Sequence, residues 1–283
     1  MRSRKRAKQS ATNYGAISMI GVCVLAFIGL GAGLVLDDYV EMDTQFCLGG
    51  GASGTAIFAD YSGGWGEDAM QQKGMVEYFK LLYERLDGNE RFVIYGSTKQ
   101  EFSDMPPEKF AICRPVRTPE ESTKYGGREF AEPFLAKLNR KAYRKQYRPH
   151  VEDMLDPNIS DEDAMPYSPI LEYMAGMSRL PEMTGKDIGR MVIMSDLLQN
   201  SPKGGRFCEV KGNMPSFDTY RQRPKWNAVA PDPFTGIDIE ILLFERNLKG
   251  SFCTQIELEN WWRDYFMQNG AKSVRYIRLS QGV

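Results

Sequence analysis

Hydrophobic positions along the chain change their period several times, and each change marks an element. Gly15–Leu36 (GAISMIGVCVLAFIGLGAGLVL) is an uncharged, largely apolar run. At about 22 residues it is long enough to cross the ~30 Å hydrocarbon core as a helix. Arg2, Arg4, Lys5, Arg6 and Lys8 precede it, and Asp37, Asp38, Glu41 and Asp43 follow it. The positive-inside rule therefore puts the N-terminus in the cytoplasm and the rest of the chain outside it. A cleaved signal peptide is the rival reading, but the run exceeds the usual apolar core of such peptides and no A-x-A-like site follows. The expected organisation is a basic tail at 1–14, a transmembrane helix at 15–36, a glycine-rich linker at 37–54 and one soluble domain at 55–283.

Within that domain, short apolar runs alternate with segments of helical period. Thr55–Ala59, Arg91–Tyr95, Lys109–Cys113, Arg190–Ser195, Gly236–Phe244 and Ser273–Leu279 read as strands. Glu67–Leu86, Ile170–Ser178 and Ile256–Gln268 read as helices, the first with Met75, Tyr78, Phe79, Leu82 and Leu86 on one face. Ser168, just before Pro169, is the expected N-cap of the second. A short Met-Pro-Pro segment lets the Arg91 and Lys109 strands run antiparallel at one edge. Arg190–Ser195 (RMVIMS) is nearly continuous in apolar residues, as the buried centre of a parallel sheet requires. The expected fold class is α/β: a doubly wound, Rossmann-like, six-stranded and mostly parallel sheet with one antiparallel edge strand, its ligand site at the carboxyl ends of the strands. Residues 116–166 form an irregular insert, with an amphipathic helix near Arg128–Tyr147 and an acidic loop at 152–163 that lacks the glycine of a calcium loop. The polar stretch Ser201–Pro233 reads as a partner surface or a solvated loop, and Trp261-Trp262 as core.

Charge and rare residues then narrow the chemistry. With 36 basic and 37 acidic residues the formal net charge is −1, which offers no general attraction for nucleic acid. His150 is the single histidine, in a polar stretch, so His-rich zinc sites are excluded and a Ser-His-Asp triad has one residue to depend on. It reads as a solvated imidazole. Besides Cys23 in the apolar run, the cysteines are Cys47, Cys113, Cys208 and Cys253, with no C-x-x-C spacing. Four cysteines permit three pairings. Cys47–Cys113 and Cys208–Cys253 are favoured because each member falls just outside an expected strand, where chain ends can meet; free thiols in a reducing compartment are the alternative.

Hydroxyl and carboxylate groups at three places converge on one rim of such a sheet. Asp60-Tyr61-Ser62-Gly63-Gly64 ends the first strand, Ser195-Asp196 ends the central one, and Ser168 stands at a helix start. Oxygen ligands of this kind suit a hard cation such as Mg²⁺, with Mn²⁺ or Ca²⁺ as alternatives. The segments resemble the metal-ion-dependent adhesion site of von Willebrand factor A (vWA) domains, in which D-x-S-x-S, a distant Thr and a distant Asp hold one divalent cation. The resemblance covers residues 55–280 and matches Asp60 and Ser62 to the first motif, Ser168 to the Thr and Asp196 to the last Asp. The chain is similar in particular to small bacterial membrane-anchored proteins of this fold, through Phe58-Ala59-Asp60-Tyr61-Ser62, Ser168-Pro169-Ile170-Leu171 and Ser195-Asp196-Leu197-Leu198-Gln199-Asn200-Ser201. Two departures stand out: Gly64 replaces the last serine of the first motif, and Leu197 replaces the glycine that commonly follows the last Asp.

These readings imply a single-pass protein of the inner (plasma) membrane whose periplasmic or extracellular domain binds another envelope or membrane protein, possessing no catalytic constellation. The alternatives are a metal-free structural subunit of a membrane complex and, further off, a metal-dependent hydrolase using Asp60 and Asp196.

Overall fold

The computed structural model describes residues 39–61, 69–97, 105–156, 167–185, 187–209, 211, 214–244, 248 and 250–279. The apolar run at 15–36, Ser62 and residues 157–163 of the acidic loop lie outside these. Among the described residues no helix is long and apolar enough to cross a membrane. The chain divides into Met1–Val40 and Glu41–Val283, and the second unit holds the sheet.

Its strands are β1 (Ala52–Ala59), β2 (Glu90–Gly96), β3 (Glu108–Cys113), β4 (Ile188–Ser195), β5 (Asn200–Ser201), β6 (Gly205–Arg206), β7 (Asp238–Phe244) and β8 (Ser273–Leu279). The helices are α1 (Ala69–Arg85), α2 (Pro119–Lys124), α3 (Glu132–Ala142), α4 (Arg148–Met154), α5 (Ile170–Ser178), α6 (Pro181–Thr184), α7 (Phe217–Tyr220) and α8 (Gln255–Gln268). A π-helical turn at Tyr143–Tyr147 joins α3 to α4. The main sheet has six strands among the described residues, in the order β3-β2-β1-β4-β7-β8. Every neighbouring pair is parallel except β2 and β3, which are antiparallel at the edge. This is the expected doubly wound sheet.

Its two faces build two cores, because side chains alternate along each strand. Ala56 and Phe58 of β1, Met191 and Ile193 of β4, and Ile239 and Ile241 of β7 meet α5 and α8 on one side. Ile57, Val192, Met194 and Leu242 meet Phe79 and Leu82 of α1 and Tyr147 of the π turn on the other. Trp261 and Trp262 are both buried in the first core, as the sequence leads one to expect. The two disulfides are Cys47–Cys113 and Cys208–Cys253, the favoured pairing.

Four expectations change. The stretch 41–51, expected as part of a linker, is packed down: Phe46, Cys47 and Leu48 are buried, and Leu48 exchanges two hydrogen bonds with the Asn89 amide. β1 accordingly starts at Ala52 and not at Thr55. The insert is largely helical from α2 to α4, its helix continuing past Tyr147. Ser201–Pro233 is neither a solvated loop nor an open surface alone, since Phe207, Phe217, Tyr220 and Val229 are buried against Trp261 and Tyr265. Finally, Ser168 does not cap α5. Pro169 holds the N-cap position without a side-chain bond, and the hydroxyl of Ser168 is used elsewhere.

Candidate functional site

From β1 the sheet grows outward through β2 on one side and through β4 on the other. Such a reversal opens a crevice at the carboxyl ends of the two central strands, where doubly wound proteins bind ligands. Asp60 follows the last residue of β1, and Ser195 is the last residue of β4. The parallel register pairs Ala59 with Met194, and the Asp60 N–H donates to the Met194 carbonyl at 3.0 Å. Asp60 and Ser195-Asp196 thus stand side by side at the crevice although about 135 positions separate them, the parallel sheet being what unites them.

The Asp60 side chain is only 3% exposed. Its Oδ2 accepts from the Ser195 hydroxyl at 2.8 Å and from the Ser168 hydroxyl at 3.1 Å. A buried carboxylate needs such donors, because burial strips its water away. Ser168 is held in place by backbone bonds to Asn200 in both directions, 2.7 and 2.8 Å. Ser195 is held by the Leu197 N–H, which donates to its hydroxyl oxygen at 2.9 Å. Asp196 is partly exposed, and its Oδ1 accepts from the Leu198 N–H at 2.9 Å. Tyr61 completes this part of the rim: its N–H donates to the Ser97 hydroxyl at 2.8 Å, and its ring leans so close to Gly96 that a Cβ there would lie 2.7 Å from Cε2. Burial pushes the Tyr61 phenol well above its ordinary pKa, so it remains a neutral donor.

Of the four residues expected from the sequence, Ser168 is bonded to Asp60, Asp196 follows Ser195 at the end of the neighbouring strand with its Oδ1 on the Leu198 N–H, and Ser62 lies outside the described residues. The structure adds Ser195, which the sequence places in the motif but not among the ligands. It also adds a buried polar layer beneath the rim. Glu172 of α5, 2% exposed, accepts from the Gln199 side-chain amide at 3.2 Å, from the Gly204 N–H at 3.1 Å and from the Ser201 hydroxyl through a short bond. Gln199 Oε1 in turn accepts from the Leu171 N–H at 2.8 Å, supplying at the first turn of α5 the cap that Ser168 does not. The signal for this layer was present in Leu198-Gln199-Asn200-Ser201, three polar residues in a row shortly after the buried strand β4.

The donor set suits a hard divalent cation: carboxylate and hydroxyl oxygens, no sulfur, no imidazole. Asp60, Ser168 and Asp196 would hold such an ion. Among the described residues no three His, Cys, Asp or Glu side chains group as a metal cluster, so two carboxylates would carry the charge neutralisation. Without an ion, the same oxygens satisfy one another, as the two hydroxyl bonds to Asp60 demonstrate.

No protein-family model matches the chain, and no curated protein matches it. Among solved structures, the SpRpn10 VWA domain is similar over 82% of this chain and 90% of that one, with 11% identity and a TM-score of 0.35. BatB from Bacteroides thetaiotaomicron, a conserved hypothetical protein, is similar over 81% and 91%, with 10% identity and a TM-score of 0.35. Proximal thread matrix protein 1 from the mussel byssus is 12% identical over 80% of this chain, with a TM-score of 0.34; the match spans 42% of the mussel protein's length. The fold itself is defined by the strand order and its antiparallel edge.

Proposed function

We propose that this chain is a protein-interaction module of the vWA-like type, tethered to a membrane by residues 15–36, which binds a partner outside the cytoplasm at the rim formed by Asp60, Ser168 and Asp196. One observation carries the reading: two serine hydroxyls from distant segments converge on one buried carboxylate at the switch point of the sheet. Polar side chains concentrated at that crevice are what a ligand-binding lip requires. The sequence resemblance supplies the cation. A divalent ion held by Asp60, Ser168 and Asp196 would offer an open position to a carboxylate of the partner. The Ser168 and Ser195 hydroxyls are both engaged by Asp60, and the reading assigns the rim to binding. The two disulfides and the charge asymmetry about the apolar run support an oxidising compartment for the domain.

A second reading is favoured by the way the rim satisfies itself. Asp60 Oδ2 already holds two hydroxyls and Asp196 Oδ1 holds its own backbone, as they would in a metal-free structural subunit. Calorimetric titration of the full-length chain with Mg²⁺, combined with purification of its complexes with and without a chelator, separates the two. The proposal expects a binding heat that Asp60→Ala and Asp196→Ala each abolish, and partner capture that the chelator abolishes. Capture that persists in the chelator and in both variants would establish the metal-free reading instead. Asp196→Ala guards against misfolding as an explanation, because Asp196 is partly exposed and its removal leaves the Asp60 bonds in place.

A further inference from the structure

At the opposite end of the sheet lies a second site of different chemistry. α1 leaves the carboxyl end of β1 and returns to the amino end of β2, so its last turn lies at the amino edge of the parallel strands, away from the Asp60 rim. There a cavity of about 480 Å³ opens between α1, the segment after β3, α3 and the π turn. Lys80, Arg114, Arg117, Arg140 and Arg144 line it, with Glu84 as the one carboxylate. We propose that this cavity binds a phosphate-bearing ligand of two or more negative charges.

Five cations around one cavity repel each other, Lys80 being paired at 3.4 Å with the exposed Glu77, and a protein of net charge −1 has no general excess to distribute. Arg140 and Arg144 are exposed, stand four residues apart on one helical face and have no ion-pair partner among the described residues. Arg114 is 9% exposed; one terminal nitrogen donates at 2.6 Å to the carbonyls of both Glu84 and Leu86, while its Nε is buried without a partner. Arg117 donates to the same two carbonyls. The last turn of α1 therefore orients two guanidinium groups at the cavity wall, and the Cys47–Cys113 disulfide anchors the residue next to Arg114. Burial, and then the adjacent Arg117 charge, pull the Arg114 pKa down, with Tyr83, Glu121 and Glu84 opposing them, so an added anion would favour the charged guanidinium further.

The walls also fit a ligand larger than one phosphate group. Tyr83 lies beneath Arg114, the guanidinium carbon 5.2 Å from the ring centre, and Tyr143 packs on Tyr83 at 5.0 Å. Fixed guanidinium forks beside aromatic surface suit a phosphate ester whose organic part packs on the rings. Tyr143 and Arg144 are placed there by the π turn. Pro149 has no N–H to give to the Lys145 carbonyl and its ring crowds that oxygen, so the helix widens one turn earlier and the Arg148 N–H reaches back to the Tyr143 carbonyl.

The phosphate can belong to a free metabolite-like ester or to an anionic lipid headgroup. The full-length chain titrated calorimetrically with inorganic pyrophosphate, and separately with dihexanoyl phosphatidic acid, a phosphomonoester lipid, below its micelle concentration, distinguishes the sources. Expected is saturable binding of at least one probe, weakened by about tenfold or more in Arg140→Glu/Arg144→Glu. Lys137→Glu/Lys145→Glu changes the same charge on the same helix outside the cavity and is expected to bind as the unaltered chain does. Binding of pyrophosphate alone would assign a free ester, and binding of the lipid would assign a headgroup. Binding of neither probe, or equal weakening in both variants with native circular dichroism, would overturn the proposal.

Discussion

Leu197 shows how closely the rim is fitted. It stands where the resembling domains carry glycine, and its φ of +63° is the left-handed conformation that glycine adopts without cost. A leucine there costs about 1–2 kcal/mol of backbone strain. Its side chain is fully buried among the residues beneath the rim, its N–H holds Ser195, and its carbonyl accepts from the Trp262 indole at 3.0 Å. Substituting Leu197→Gly would relieve the strain but empty a fully buried leucine site, a loss of about 2–5 kcal/mol for the comparable change to alanine. Packing is the larger effect, so Leu197→Gly is expected to lower unfolding stability by about 1–3 kcal/mol in urea, and a more stable variant would show that strain dominates. Sequence alone exposes the departure from glycine, but not that the backbone keeps glycine's conformation, because φ is set by the Ser195 and Trp262 bonds around it.

Among the elements, strand β7 hides a buried charge behind an apolar pattern. Its alternation reads as a buried parallel strand, yet Glu240 sits inside it among Val192, Leu242 and α1. Burial pushes this carboxyl up, while a 2.7 Å bond from the Tyr78 hydroxyl and the Arg275 and Arg85 guanidinium groups hold it below its ordinary value. At the start of the same strand Asp238 is held low by Lys272 and Ser273, each bonded to it. Both folded-state values are depressed relative to the unfolded chain, so both groups contribute stability that is present above their ordinary pKa and disappears as pH falls through the folded value. Stability is therefore expected to fall as pH drops below 4.5, and Glu240→Gln to flatten that fall. Urea midpoints measured between about pH 6 and about pH 3 check it; an unchanged slope in the variant would place the acid sensitivity elsewhere. The strands were legible because apolar runs such as RMVIMS and IEILLF admit few other readings in a chain of this pattern. The helix following Tyr147 was not, because the π turn that accommodates Pro149 leaves no mark in hydrophobic period. The Ser168 cap failed for a related reason: a serine before Pro-Ile-Leu has the local form of a cap, and the carboxylate that recruits it stands 108 positions away.

At the scale of the whole domain, long-range ties decide which segments belong to the fold. Glycine-rich 49–51 reads as tether from composition, yet Leu48 and Asn89 exchange bonds and Cys47 is joined to Cys113, so the segment before β1 closes over the edge of the sheet. The second disulfide does the same for the stretch after β4, tying Cys208 beside the buried Phe207 to Cys253 at the approach to α8. These bonds close loops of 66 and 45 residues. In the chain-entropy model each such loop is worth about 4 kcal/mol, comparable with the whole margin of a stable domain, about 5–15 kcal/mol. The first bond also sits where packing is locally thin, beside the small cluster of Leu48, Val116 and Leu135, whereas Cys208 and Cys253 pin a polar stretch into the main core. Reduction is therefore expected to lower the thermal midpoint by well over 10 °C at constant pH, with Cys47→Ala/Cys113→Ala alone accounting for about half of the loss. Thermal melts of the oxidised, reduced and doubly substituted chains test this. Coincident midpoints for the three would mean that the packing of Phe46 and Leu48 holds the edge without the covalent tie, and that the oxidising compartment is not needed for the fold to stand.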